Sequence, residues 1–215
     1  MKSQNRSGKA LTIILILAVI FIGVPLIIGG CGASMVIGKY NTMKVANNAV
    51  DYNAGNVDSV IQRRMDLIPN LVNTTKGYMK FEKETFVEVT AERSKAGQAN
   101  ISFKDLQNVT PEQIQNFQAA QQSFAGAISR LLVVMEKYPE LKSNESVKAL
   151  MDELAGSENR ISTERRRYNE AVEALNNHID VFPGNFVAQW FSIERRVMFK
   201  ADEAARTAPK VDLSL

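Results

Sequence analysis

NESVKALMDELAGSENRISTERRRYNEAVEALNNHIDVF, Asn144–Phe182, decides the fold. Val147, Leu154, Ile161, Tyr168, Leu175 and Phe182 recur at strict sevens, beside Met151, Val172 and Ile179 on a companion ladder. Apolar residues at this spacing keep one stripe of an α-helix turned toward neighbouring helices, as in the seam of a coiled-coil-like bundle. The 39 residues of the stretch would make a helix about 58 Å long.

Working outward, three more segments carry the same signature. The first has Tyr40, Ala54, Ile61 and Ile68 on one ladder and Met43, Val50 and Val57 on the other. The second, entered through Pro69, has Thr75, Val89 and Ala96 beside Val72, Met79 and Phe86. The third opens with Thr110 as N-cap, Pro111 in the first turn and Glu112-Gln113 at the positive end of the helix, and continues through Ile114, Phe117, Phe124, Ile128, Leu131, Met135 and Tyr138. Pro69, the polar stretch Ser94–Pro111, Tyr138-Pro139 and Phe182-Pro183-Gly184 punctuate the chain. No run alternates apolar and polar residues long enough for a strand. Segments of roughly equal length, about 43 Å for each of the first three, suit antiparallel neighbours. The expected architecture is all-α: an N-terminal transmembrane helix, an antiparallel up-down four-helix bundle of long coiled-coil-like helices, and a short C-terminal amphipathic helix.

The transmembrane expectation comes from Ala10–Ile28, ALTIILILAVIFIGVPLII, which is free of charge and followed by near-apolar sequence to Ile37. About 20 apolar residues span the hydrocarbon of a bilayer. A secretory signal has a shorter apolar region than this run. Ile28-Gly29-Gly30-Cys31 admits two readings, a lipoprotein-like box with Cys31 as a lipidation site or a small-residue juxtamembrane turn. The chain divides on this reading into a basic N-terminus (1–9), an anchor and juxtamembrane segment (10–37), the helical bundle (38–206) and a tail (207–215).

Charge and composition narrow the function. Lys2, Arg6 and Lys9 precede the first acidic residue, Asp51, and from Lys39 onward 23 basic residues meet 23 acidic ones. The body lacks the net basic surface that phosphate binding requires, so no nucleic-acid partner is expected. One Cys and one His exclude an intrachain disulfide and a zinc site of the Cys and His type. Carboxylates at helical spacing, Glu153, Glu158 and Glu164 beside Arg165, lack the Glu-x-x-His pattern of di-metal bundles, because Leu175 stands three residues before His178. They read as a salt-bridged helix face. No catalytic residues, no cofactor and no metal are expected.

Extending the ladders places Asn47, Arg64, Glu82, Arg93, Glu158 and Arg165 where apolar residues otherwise stand. Buried charges are costly unless paired, so Arg64, Glu82, Arg93, Glu158 and Arg165 are expected to form a structural polar seam, with Arg64 and Glu158 as partners; local helix rotation that turns some of them to solvent is the alternative. NFVAQWFSIERRVMFK, Asn185–Lys200, combines aromatics with cations. If the bundle returns toward the membrane, Phe186, Trp190, Phe191, Arg195 and Arg196 become candidates for membrane-proximal or partner contact; capping of the bundle is the alternative.

Several stretches together resemble the LemA family: Tyr40-Asn41, RRMDLIPNLV (Arg63–Val72), KGY (Lys76–Tyr78), LLVVMEKYPELKSN (Leu131–Asn144), LMDELAGSENRI (Leu150–Ile161), and RYNEAV followed by IDVFPGN (Arg167–Asn185). The resemblance implies a membrane-anchored antiparallel helical bundle in bacteria, without a catalytic residue set. It also implies a short N-terminus outside the cell. The three leading cations favour a cytoplasmic N-terminus and an extracytoplasmic bundle, so orientation stays open. The resulting expectation is a scaffold of the bacterial cell membrane with the lipid bilayer and further copies of itself as partners. The alternative is a monomeric adaptor that recruits another envelope protein through its C-terminal aromatic helix.

Overall fold

The computed structural model describes residues 18–75, 83–99 and 109–200. Most of them are helical, without a strand among them. A π-turn, Val19–Gly23, leads into α1 (Val24–Thr75), followed by α2 (Lys83–Gln98), α3 (Pro111–Met135), α4 (Pro139–Ser143), α5 (Glu145–Asp180) and α6 (Gly184–Trp190). Two compact units arise. One comprises the chain up to Val45 with His178–Ile193; the other comprises Ala46–Asn177 with the chain from Glu194 onward.

The second unit holds the larger core. Val50, Ala54, Val57, Ile61, Ile68 and Leu71 of α1, Val89 and Ala96 of α2, Phe117, Phe124 and Leu131 of α3, and Val147, Leu154, Ile161, Tyr168 and Leu175 of α5 are buried. These are the ladder positions, so the seven-residue spacing selects the inward face of each long helix. The α3 N-terminus forms as its residues dictate. The Thr110 hydroxyl accepts from the Gln113 amide while the Gln113 side chain accepts from the Thr110 amide, a reciprocal capping box. Asn144 caps α5 by accepting from Ser146 and Val147.

Two expectations are corrected. First, Pro69 does not separate two helices: α1 continues through it for 52 residues. Proline removes the N–H that would bond the carbonyl four residues back, here Met65. Arg93 Nε of α2 donates to that Met65 oxygen at 2.7 Å. A long-range donor replaces the missing one, and the helix survives. Second, Asn185–Lys200 is not one amphipathic helix. Helix ends at Trp190, and the chain beyond it is non-helical. Among the described residues no helix is long and apolar enough to cross a membrane; residues 10–17 of the expected span lie outside them, as does Glu82.

Arg93→Leu leaves the Met65 carbonyl unsatisfied and is expected to lower stability by about 1–3 kcal/mol, read by urea unfolding. In a Pro69→Ala background the restored N–H takes that carbonyl, and the same substitution should cost much less. An equal cost in both backgrounds would refute the assignment.

Candidate functional site

Two of the polar ladder residues, Arg64 and Glu158, meet where α1, α3 and α5 come together. Arg64, only 1% exposed, donates from Nη1 to Glu158 Oε2 at 2.8 Å and from Nη2 to Gln121 Oε1. Its guanidinium lies 5.2 Å from the centroid of Phe124. Burial lowers the Arg64 pKa, and Glu158 opposes that shift. Arg64 Nε and Gln121 Nε2 are buried without a protein partner. A cleft of about 40 Å³ beside them is lined by Arg64, Gln121, Glu158 and Arg165 among others. That is room for a few waters, far below the volume of a small-molecule pocket.

The other predicted seam residues sit apart from this junction in their bonding. Arg93 is committed to the Met65 carbonyl. Arg165 lies 5.1 Å above the Phe199 ring and donates to the Lys200 carbonyl at 3.3 Å. Among the described residues, no group of three or more His, Cys, Asp or Glu side chains could hold a metal ion.

A second constellation went unread in the sequence. The extended segment Glu194–Lys200 is held by side-chain amides that bond its main chain in both directions. Asn176 donates to the Arg196 carbonyl and accepts from the Arg196 amide, each at 3.0 Å. Asn169 does the same with Phe199, and Gln118 with Lys200. The Tyr168 hydroxyl donates to the Val197 carbonyl at 3.0 Å. An extended segment has no internal partners for its backbone, so its polar groups must be met from outside. The helix amides meet them. Asn169 and Asn176 stand seven residues apart, each next to a ladder residue, and that spacing was the available signal.

Two side chains anchor this segment. Phe199 is buried near Tyr168, with ring centroids 5.0 Å apart. Arg196, expected as a membrane or partner contact, is instead 4% exposed, and its Nη2 donates to Asn47 at 2.9 Å and Asp51 at 3.1 Å. Burial pushes the Tyr168 hydroxyl up to about 12; nearby Arg196 opposes the rise and Asp51 adds to it.

The remaining predicted contact residues stay at the surface. Phe186, Trp190 and Phe191 are exposed in the first unit, Arg195 is exposed on the segment after it, and Cys31 is an exposed free thiol on α1. In that unit α6 packs on α1: the Phe191 and Tyr40 rings lie 4.5 Å apart. A Cβ on Gly184 would fall 2.0 Å from the His178 carbonyl oxygen and 2.8 Å from Met43, so no side chain fits there.

In comparisons with known proteins, the model of the LemA family matches residues 53–213. The chain belongs to the LemA family. Its relatives include magnetosome protein MamQ 2 of Paramagnetospirillum magneticum, 28% identical over 183 residues covering 79% of this chain and 67% of that protein. Protein LemA of Metamycoplasma hominis is 25% identical over 170 residues, covering 79% and 73%. Magnetosome protein MamQ of Magnetospirillum gryphiswaldense is 25% identical over 183 residues, covering 79% and 67%. The stretches that carry the LemA likeness hold the groups just described: Arg64, Met65 and Pro69 in RRMDLIPNLV, Glu158 and Ile161 in SENRI, Tyr168, Asn169 and Val172 in RYNEAV, and Gly184 in VFPGN.

Two outcomes test this geometry in the LemA chain. Glu158 is 55% exposed and Arg64 is buried, so loss of the carboxylate strands a buried cation, whereas loss of the cation frees a carboxylate to water. Glu158→Ala should therefore cost more than Arg64→Leu in urea unfolding, by about 1–3 kcal/mol; the reverse order would refute it. Tyr168 carries a folded pKa above its unfolded value of about 10, so its contribution is complete below pH 10 and is lost as pH rises toward about 12. Stability of the wild type should fall more steeply over that window than stability of Tyr168→Phe, and parallel slopes would contradict the assignment.

Proposed function

We propose that this LemA family chain is a non-catalytic scaffold of the bacterial envelope, tethered to a membrane by its uncharged N-terminal stretch, with its long helices forming an antiparallel four-helix bundle that self-associates. The observation that carries this reading is the surface of the first unit. Val19, Phe21, Ile22, Leu26 and Ile27 are 63–80% exposed at the start of the helical chain. Such a surface, apolar and unburied, needs lipid or protein to cover it. The sequence from Ala10 to Gly38 carries no charge, and its 29 residues equal about 43 Å of helix, the thickness of a bilayer with its headgroup regions. Val45 and Tyr52, seven apart on α1, and Val133 on α3 also remain exposed, and these supply apolar faces for a second copy. A family relative named for a cellular structure, the magnetosome, supports a structural part over a chemical one.

The exposed aromatics Phe186 and Trp190 favour a second reading, a monomeric membrane-tethered adaptor that recruits another envelope protein through this C-terminal aromatic region.

Full-length protein should stay with membranes through an alkaline carbonate wash and, once gently solubilised, show a scattering mass many times 23.9 kDa. A monodisperse single copy would overturn the scaffold and leave the adaptor. Release by carbonate would overturn the tether.

A further inference from the structure

Phe182, Phe186 and Trp190 recur at intervals of four along the end of the first unit and are 77%, 60% and 78% exposed. The Phe182 and Phe186 rings pack edge to face at 6.0 Å, and Trp190 follows one turn later on α6, so the three form one exposed aromatic run. The stripe is fixed against a known level of α1. Gly184 approaches Met43 and Phe191 stacks on Tyr40, so the Trp190 end of α6 is the end nearer the uncharged stretch. Only Lys39 separates Gly38, where that stretch ends, from Tyr40, a rise of about 3 Å over the two steps. Exposed Lys44 and half-buried Lys39 flank the same level.

We infer that Phe182, Phe186 and Trp190 form a lipid-contact surface, which seats the first unit in the headgroup region of the bilayer at the end of the apolar anchor. The inference rests on the tether proposed above and assigns it a second point of attachment. Amphipathic aromatic rings partition to the boundary between headgroups and acyl chains, and lysines at that level meet lipid phosphates. One attachment, a single helix, leaves the unit free to rotate about the anchor. The aromatic stripe removes that freedom and gives the first unit a defined face toward the membrane. Gly184 contributes by letting α6 lie directly on α1, which fixes the height of the stripe.

Trp190 is the sole tryptophan of the chain, so intrinsic fluorescence reports this surface alone. Full-length protein is reconstituted into vesicles of phosphatidylcholine and phosphatidylglycerol, with bromine placed either near the headgroup or near the end of the acyl chains. Trp190 emission should lie to the blue of free tryptophan and be quenched several-fold more by shallow than by deep bromine, with little quenching by aqueous iodide. Trp190→Phe combined with Phe186→Trp moves the reporter by one turn and should behave alike. Flotation of the protein with the vesicles reads the tether independently. Protein that floats while Trp190 remains open to iodide overturns the lipid-contact surface and keeps the tether. So does a blue-shifted emission that ignores bromine, which marks cover by a second copy or another protein. Protein that fails to float overturns both.

Discussion

The bond from Arg93 to the Met65 carbonyl is the constraint on which the second unit depends. Without it, Pro69 leaves an orphan acceptor in the middle of α1, and a helix under such strain kinks or ends. With it, α1 runs unbroken and presents Val50, Val57, Arg64, Ile68 and Leu71 as one inward face. The donor comes from α2, so the same bond that preserves the first helix also pins the second against it. Continuity of one element and docking of the next are a single interaction.

That face carries a guanidinium among its apolar side chains, and the surrounding helices are built to receive it. Gln121 of α3 and Glu158 of α5 bond two nitrogens of Arg64, while Phe124 covers its plane. Three helices must be in one register for these groups to meet, which is how a polar contact in an apolar seam selects an arrangement without adding much stability. The amide clamp on Glu194–Lys200 applies the same logic to the main chain. Asn169, Asn176 and Gln118 bond backbone groups, so they fix position while leaving residues such as Met198 free to face solvent.

Much of this was legible in the sequence because helix packing is written in local spacing. The α5 ladder from Val147 to Leu175 is buried at every seventh residue, and Arg64 stands buried where its ladder places it. Phe182 breaks the pattern because α5 ends at Asp180, ahead of Pro183. Glu158 stands at a ladder position yet reaches solvent, since an α-helix of 3.6 residues per turn drifts against a repeat of seven. Pro69 was misread because the local rule for proline cannot see a donor twenty-four residues away. The segment after Trp190 was misread for a related reason: aromatics interleaved with cations look amphipathic, but its conformation is imposed by amides on distant helices. Arg196 went with it, since its partners Asn47 and Asp51 lie at the other end of the body.

The clamp also imposes an order on the making of the protein. Arg196 closes on Asn47, 149 residues earlier in the chain, so an early part of the helical body waits for a much later one. Until then Asn47, Asn169 and Asn176 have water where the segment's main chain and Arg196 belong, and the site of Phe199 beside Tyr168 is unfilled. Closing so large a loop is slow relative to pairing neighbouring helices. A chain cut short before Arg196 would leave Asn169 and Asn176 without their main-chain partners, so these helix amides are satisfied only once that segment has arrived.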